Sequence, residues 1–428
     1  MVQVNANLGL LQKKLAEKTA LGKRVSAHFN RHIEMLISSM EHHSNELPWR
    51  HSLARSVTRI GYLDKDPNKG IDFGDLERKL RDMKLRGVHE IYIALSAASN
   101  VTGVLTDVHA AAQLVHRYGG KIFPDFGAAA PYVKIDMHPE GWDEPGHLNY
   151  EAHLDGVMFS PHKFPGGPGT PGVLVVNKSV IRNQTPVVDG GGTVTYVNSE
   201  AVHYDSNPEV REQGGTPPIL GIIQTALVMA MQQRLGYKNI AEREVKNNTY
   251  FLERWAALEA RFSGRLVLYG HRDPESRLGI FSFNIFKEGV DTETATYKDL
   301  LPFNLIVQLL NDHYGIQVRG GCSCAGPYGH DLLGIPNFEA DAIRSGTIPR
   351  PGWIRASVHY LHDQADIDYL IDALEHIFEN LDTLSADYHL DAAHGVWVHR
   401  DAVDIAPALT LQKVEEDLMD ATGLSIPS

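Results

Sequence analysis

Lys163 stands in the stretch DGVMFSPHKFPGGPGTPGVLVV, residues 155–176, between two short apolar runs at 157–160 and 172–176. Ser160 and His162 precede it, and the glycines and prolines that follow cannot continue a helix or a ladder. The stretch reads strand, loop, strand. A lysine at a strand end has its direction fixed by backbone on both sides. Once desolvated it loses its proton more readily, and the neutral amine can attack a carbonyl, as a Schiff-base lysine does. The plain alternative is a surface lysine in a hairpin loop, which this stretch alone favours. Asn100 and Asp125 change the balance. Each lies, like Lys163, just past the C-terminal end of an expected strand. In open α/β sheets, ligands bind beside those ends. An amide, a carboxylate and a lysine converging there signal a site better than any one of them. Taken singly, Asn100 suits an Asx turn before Gly103, and Asp125 a cap.

The elements that must hold these groups follow from periodicity. Residues 8–30 read as helix, 32–40 as a strand ending at EHHSNELPW (41–49), and 75–85 as a helix of alternating charge. IYIALS (91–96) is a buried strand. Residues 104–118 form a helix stopped by Gly119 and Gly120, and 121–124 make the next strand. This alternation predicts an α/β fold with a mostly parallel sheet sandwiched by crossover helices. The glycine loop VVDGGGT (187–193) lacks the spacing of a dinucleotide fingerprint. EQGGTPP (212–218) opens a long helix at 219–235, where a hydroxyl and free amides suit a phosphate, although Thr216 as a plain N-cap is the commoner role.

Beyond Gly236 the pattern changes. Helices at 241–262, 305–313 and 366–381 separate strands at 266–269, 280–286, 316–319 and 353–358. That order predicts a smaller α+β C-terminal domain. The expected division is 1–236 for the large domain, 237–384 for the smaller one, and 385–428 for an acidic extension with a strand-like GVWV at 395–398.

Composition narrows the function. The 428 residues suffice for two or three domains. Forty basic against fifty-three acidic residues give a formal charge of −13, which argues against nucleic acid and against an anionic membrane surface as partners. No apolar run approaches the ~20 residues that a membrane span requires. The first segment is basic at Lys13, Lys14, Lys18, Lys23 and Arg24, but Glu17 and scarce arginine favour an amphipathic helix over a mitochondrial presequence. The two cysteines, Cys322 and Cys324, are too close in sequence to close a disulfide easily, and two thiols cannot fill a tetrahedral zinc site. A reducing, cytoplasmic compartment is expected, and no metal.

Several pieces together carry a resemblance: EHHSNELPW at 41–49, SNVTG at 99–103, SPHK at 160–163, GGTP at 214–217, VRGGCSCAGP at 318–327 and IRAS at 354–357. In this order, over about residues 33–381, the chain resembles the class V aminotransferase family of pyridoxal-phosphate enzymes, and within it the cysteine-desulfurase-like branch. The resemblance implies fold type I with pyridoxal 5′-phosphate as cofactor. Lys163 would join the cofactor covalently, Asp125 would face the pyridine nitrogen, and His42 would stack on the ring. Asn100 would lie near the ring hydroxyl and the substrate. Ser160 and His162 would bind the phosphate, as would Thr216 from a neighbouring subunit, which implies a homodimer with a shared site. Arg355 would grip a substrate carboxylate. Cys324 falls where desulfurases carry their nucleophile, on a glycine-flanked loop that could swing to the substrate sulfur and then present a persulfide to an acceptor protein.

The implied activity is sulfur removal from L-cysteine or an analogue. The chain departs from the family in two places. Relatives have glutamine three residues after the ring aspartate, where this chain has Ala128. They also carry a Gly/Thr-rich phosphate turn well ahead of the EHH segment, which the residues before Glu41 lack, so the cofactor domain reads as N-terminally shortened. Ala128 and the GGCSCAGPYG loop leave room for an aminotransferase or another amino-acid lyase. The missing turn leaves room for a weakly active or non-catalytic relative.

Overall fold

The computed structural model describes residues 32–139, 151–391 and 395–402. The helix expected at 8–30 and the question of a shortened N-terminus fall outside them. Two sheets organise what is described. The larger has six strands: β1 (Ile33–Ser38), β2 (Ser56–Ile60), β3 (Glu90–Ser96), β4 (Lys121–Asp125), β5 (Gly156–Phe159) and β6 (Val173–Val176), in the spatial order β2-β1-β3-β4-β5-β6. All neighbours are parallel except β5 and β6. Continuous apolar runs such as IEMLIS and EIYIALS are what a sheet buried on both faces requires.

Helices α1 (His43–Arg50), α2 (Phe73–Leu85) and α3 (Val108–Arg117) connect these strands. The segment 41–49 was expected only to end a strand. It folds into α1 because His42 caps it, Nδ1 accepting from Ser44 N at 3.1 Å, even with Pro48 inside the helix. Strand β2 has no apolar alternation and went unread. Helix α3 begins four residues later than expected, where Asp107 caps it through Ala110 N at 2.9 Å. After β6 come a short hairpin, β7 (Val194–Val197) and β8 (Val202–Tyr204), and then α4 (Ile219–Leu235). The residue before α4 is Pro218, with no side-chain cap, so Thr216 is not the N-cap.

The long α5 (Tyr237–Arg261) leads to the smaller antiparallel sheet, with order β11-β12-β10-β9. Its strands are β9 (Leu266–Leu268), β10 (Ile280–Ile285), β11 (Arg319–Gly321) and β12 (Trp353–Ser357). Strand β11 lies later than the expected 316–319, because only from Arg319 does the chain pair with β12. Helices α6 (Phe303–Tyr314), α7 (Gly326–Leu333) and α8 (Gln364–Glu379) complete this part, and a final hairpin joins β13 (Tyr388–Asp391) to β14 (Val396–His399). Two large hydrophobic cores correspond to the two sheets. One is centred on Leu36, Leu76, Ile93 and Ala112, the other on Phe251, Trp255, Phe281 and Leu374. Met35, Ile37 and Ala94 form a small third cluster. No described helix is long and apolar enough to cross a membrane.

Candidate active site

The site lies where the C-terminal ends of β3, β4 and β5 meet the β11–β12 edge of the smaller sheet. Asp125 is the last residue of β4, and Lys163 closes a short turn, Pro161–Lys163, directly after β5. Both border one point: a Cβ built on Gly127 would come 2.9 Å from Asp125 Oδ1 and 3.6 Å from Lys163 Nζ. Only glycine leaves that space open.

Lys163 is exposed to solvent. The surrounding protein nevertheless strips water from its amine and holds it below the usual lysine range. Arg355 and Arg319 push the same way, and Asp125 opposes them. Burial pushes the Asp125 carboxyl up, against the Gly127 N–H donated to Oδ1 at 2.7 Å and the charges of Lys163 and His42. Burial and then Lys163 hold His42 low, while Asp125 draws it up. An amine that sheds its proton easily beside a carboxyl and an imidazole is a nucleophile and base in waiting.

Arg355, on β12, donates from Nη1 to Asn100 O at 2.8 Å, and Asn100 Nδ2 donates to Ser323 O at 2.7 Å. Among the described residues, Asn100 Oδ1 and Arg355 Nε are buried without a hydrogen-bond partner. Native proteins rarely leave such atoms unpaired. Two of them together, beside the space at Gly127 and an amine with no ion pair among the described residues, fit a polar ligand with ring oxygen and carboxylate groups. The residues present therefore suit a pyridoxal-type cofactor joined to an amino acid.

Cys324 is half-buried. Ser323 and Cys324 have φ of 53° and 57°, and Ala325 N donates to Cys322 O at 3.1 Å, so the thiol rides on a tight left-handed turn. Arg319 Nη2 donates to Cys324 Sγ at 3.4 Å. The turn is pinned rather than loose. His43 N donates to Cys324 O at 2.8 Å, Gly326 N donates to His43 Nε2 at 2.9 Å, and Trp353 Nε1 donates to Ser323 Oγ at 3.2 Å. A swing of this loop to the substrate, as expected for Cys324, would have to break these bonds.

Lys163, Asp125, His42, Asn100, Arg355 and Cys324 are thus linked by contacts or by mutual charge effects. Ser160 is half-buried and His162 exposed, and neither side chain makes a hydrogen bond among the described residues. Thr216 is also exposed and unbonded there, and nothing ties it to Lys163 within one chain. Sequence reasoning missed Arg319 and His43 as site residues. Arg319 lies directly across from Arg355 in the β11–β12 register, a relationship visible only once the strands pair. His43 had a signal, standing next to His42 in the quoted motif.

A family model for aminotransferase class-V matches residues 19–370. The chain belongs to that family, whose members are pyridoxal-phosphate-dependent enzymes. It is 28% identical over 345 residues to a probable cysteine desulfurase of Halalkalibacterium halodurans, covering 80% of this chain and 70% of that one. A cysteine desulfurase of Escherichia coli is 28% identical over 344 residues, with the same shares covered. Among solved structures, the apo cysteine desulfurase of Thermococcus onnurineus NA1 superposes with a TM-score of 0.61 at 23% identity, covering 82% of this chain and 74% of that one. The fold is fold type I, a mostly parallel central sheet flanked by helices.

Proposed function

We propose that this chain removes sulfur from L-cysteine or a close analogue, using pyridoxal 5′-phosphate and passing the sulfur through Cys324. The observation that carries this reading is Cys324 Sγ within reach of Arg319, on a turn bonded to Asn100 and so to Arg355. The relatives named cysteine desulfurases support it. Lys163, Asp125, His42 and Asn100 would hold the cofactor ring, with Ser160 and His162 at its phosphate. Bound there, the cofactor supplies an electron sink for the charge left when a bond at the substrate α-carbon breaks.

The chain's own residues do the rest. Arg355 offers its unpartnered Nε to the substrate carboxylate. Lys163 Nζ, held below the usual lysine range by burial, would take the α-proton. Cys324 Sγ would attack the substrate sulfur as the substrate Cβ–S bond breaks; the bonding pair stays with the carbon, which takes a proton, so a persulfide is left on the enzyme and the three-carbon product leaves as alanine. Thr216 would act from a second copy of the chain. The apolar face beside it supports a homodimer: Leu220, Ile223 and Leu227 on α4 are 82%, 54% and 65% exposed. The division at about residues 236 and 384 is our reading of the two cores. Residues 385–428 would be an extension of the smaller domain. A cytoplasmic location and a protein sulfur acceptor belong to the same proposal.

Incubation of the cofactor-loaded protein with L-cysteine and a reductant should release sulfide and alanine, and Cys324→Ala should abolish both. Alanine formation unchanged by that substitution would sink the proposal. Ala128, where relatives carry glutamine, favours amino-group transfer as the second reading. Transfer to a keto acid that persists in Cys324→Ala would select it.

A further inference from the structure

Glu41 is 2% exposed and no step above uses it. Four donors surround its carboxyl. Ser38 Oγ and Ser96 N (2.7 Å) reach Oε1, while Asn45 Nδ2 (2.7 Å) and Ser96 Oγ (2.9 Å) reach Oε2. That shell completes an ionised carboxylate. Two of the donors are hydroxyls, which can turn and accept, so the group can also hold a proton without any heavy atom moving. Among the described residues no cation lies within ion-pair distance of it.

Ser96, which binds both Glu41 oxygens, is also the direct partner of Asp125 in the parallel β3–β4 pair. Glu41, Ser96 and Asp125 therefore form a row across the ends of β1, β3 and β4. We propose that Glu41 is a positioning residue of the active site, a second buried carboxyl that shares a proton inventory with Asp125 and so sets the charge Asp125 presents to the cofactor's ring nitrogen. The proposal rests on the pyridoxal-phosphate reading above.

Burial pushes Glu41 up to about 7, and the neighbouring Asp125 pushes the same way. Two carboxyls in one desolvated pocket titrate as a pair, because a second charge there costs more than the first. The groups facing the pair are His42, which follows Glu41, and Lys163, whose charge draws Asp125 down; Ser38 and Asn45 add only neutral donors. With Glu41 protonated, Asp125 carries the single negative charge of the row. With Glu41 ionised, the row carries two charges, and Asp125 is pushed towards keeping its proton.

The test has one arm without cofactor and one with it. In the cofactor-free protein, pH-difference infrared spectroscopy should show a buried protonated carboxyl titrating near neutrality. Glu41→Gln should remove that band, and Asp125→Asn should move its midpoint to lower pH. In the protein loaded with pyridoxal phosphate, the visible spectrum should carry a pH step that Glu41→Gln lacks. An infrared midpoint indifferent to Asp125→Asn, or a visible titration in Glu41→Gln that overlays the wild type, overturns the proposal. Should Glu41→Gln fail to fold, Ser96→Ala keeps the carboxyl and removes one donor. It should raise the midpoint, and an unmoved midpoint counts against the row. Wild-type protein that takes up no cofactor would instead defeat the preceding reading, while the infrared arm still decides the coupling of the two carboxyls.

Discussion

Arg355 and Asn100 join the two sheets: the guanidinium on β12 donates to the main-chain oxygen of Asn100, four residues past the end of β3, 2.8 Å away. Because Asn100 in turn donates to Ser323 O, Arg355 and the thiol-bearing turn are fixed to one residue in the loop after β3. Arg355→Lys keeps a charge but loses both this bond and the planar pair of donors. We expect kcat/KM for cysteine to fall roughly ten- to a hundredfold, mostly through KM, the equivalent of about 1.5–3 kcal/mol for a charged hydrogen bond. Steady-state kinetics check it.

His43 clamps the thiol turn at two points, through its N–H and its Nε2. His43→Ala removes the acceptor for Gly326 N and should loosen the turn. In a Cys322→Ser background, where Cys324 is the remaining thiol, the rate of reaction with a disulfide reagent should rise several-fold. Stability should fall by about 1 kcal/mol, as for one lost hydrogen bond.

Gly167 lies just beyond Lys163. A Cβ there would meet Pro161 O at 2.0 Å and Phe164 O at 2.9 Å, both backbone atoms that cannot step aside alone. Gly167→Ala must therefore force open the turn that carries the lysine. We expect a loss of roughly 2–4 kcal/mol in denaturant unfolding, by strain and overpacking, together with weaker cofactor uptake.

Glu244 on α5 gives a pH prediction. It is 5% exposed; Gly279 N donates to Oε2 at 3.1 Å, and among the described residues Oε1 has no hydrogen-bond partner. Burial pushes its carboxyl up to about 7 from 4.5. Between those values the folded chain holds a proton that the unfolded chain has released, so stability falls as pH rises through that window and stays reduced above it. Glu244→Gln should be more stable than the wild type by about 2–3 kcal/mol at pH 8, with the difference shrinking towards zero near pH 4.5. Urea midpoints measured at pH 5 and pH 8 test it; Glu41 contributes to both proteins alike and cancels in the difference.

How far the sequence could be read depended on where the information sits. Strands β1, β3 and β4 announce themselves because sheets covered on both faces need unbroken apolar runs. Lys163, Asp125 and Asn100 were legible because the ends of such strands are legible. Helix α1 was hidden because its stability comes from a histidine cap and from Glu41 and Asn45 bonding beneath it, not from an apolar stripe. Arg319 and the row through Ser96 were hidden for a different reason. Each acts through a strand neighbour dozens or more residues away, and pairing of that kind has no local signature.

The left-handed turn at Ser323 and Cys324 bears on how cargo would leave. Carrying the sulfur outward by moving that segment would sever its ties to His43, Asn100 and Trp353 at once. A visitor that reaches inward breaks none of them. On the proposed function, a slender recipient, a small thiol or a protruding tip of a carrier, would collect the sulfur with those ties intact.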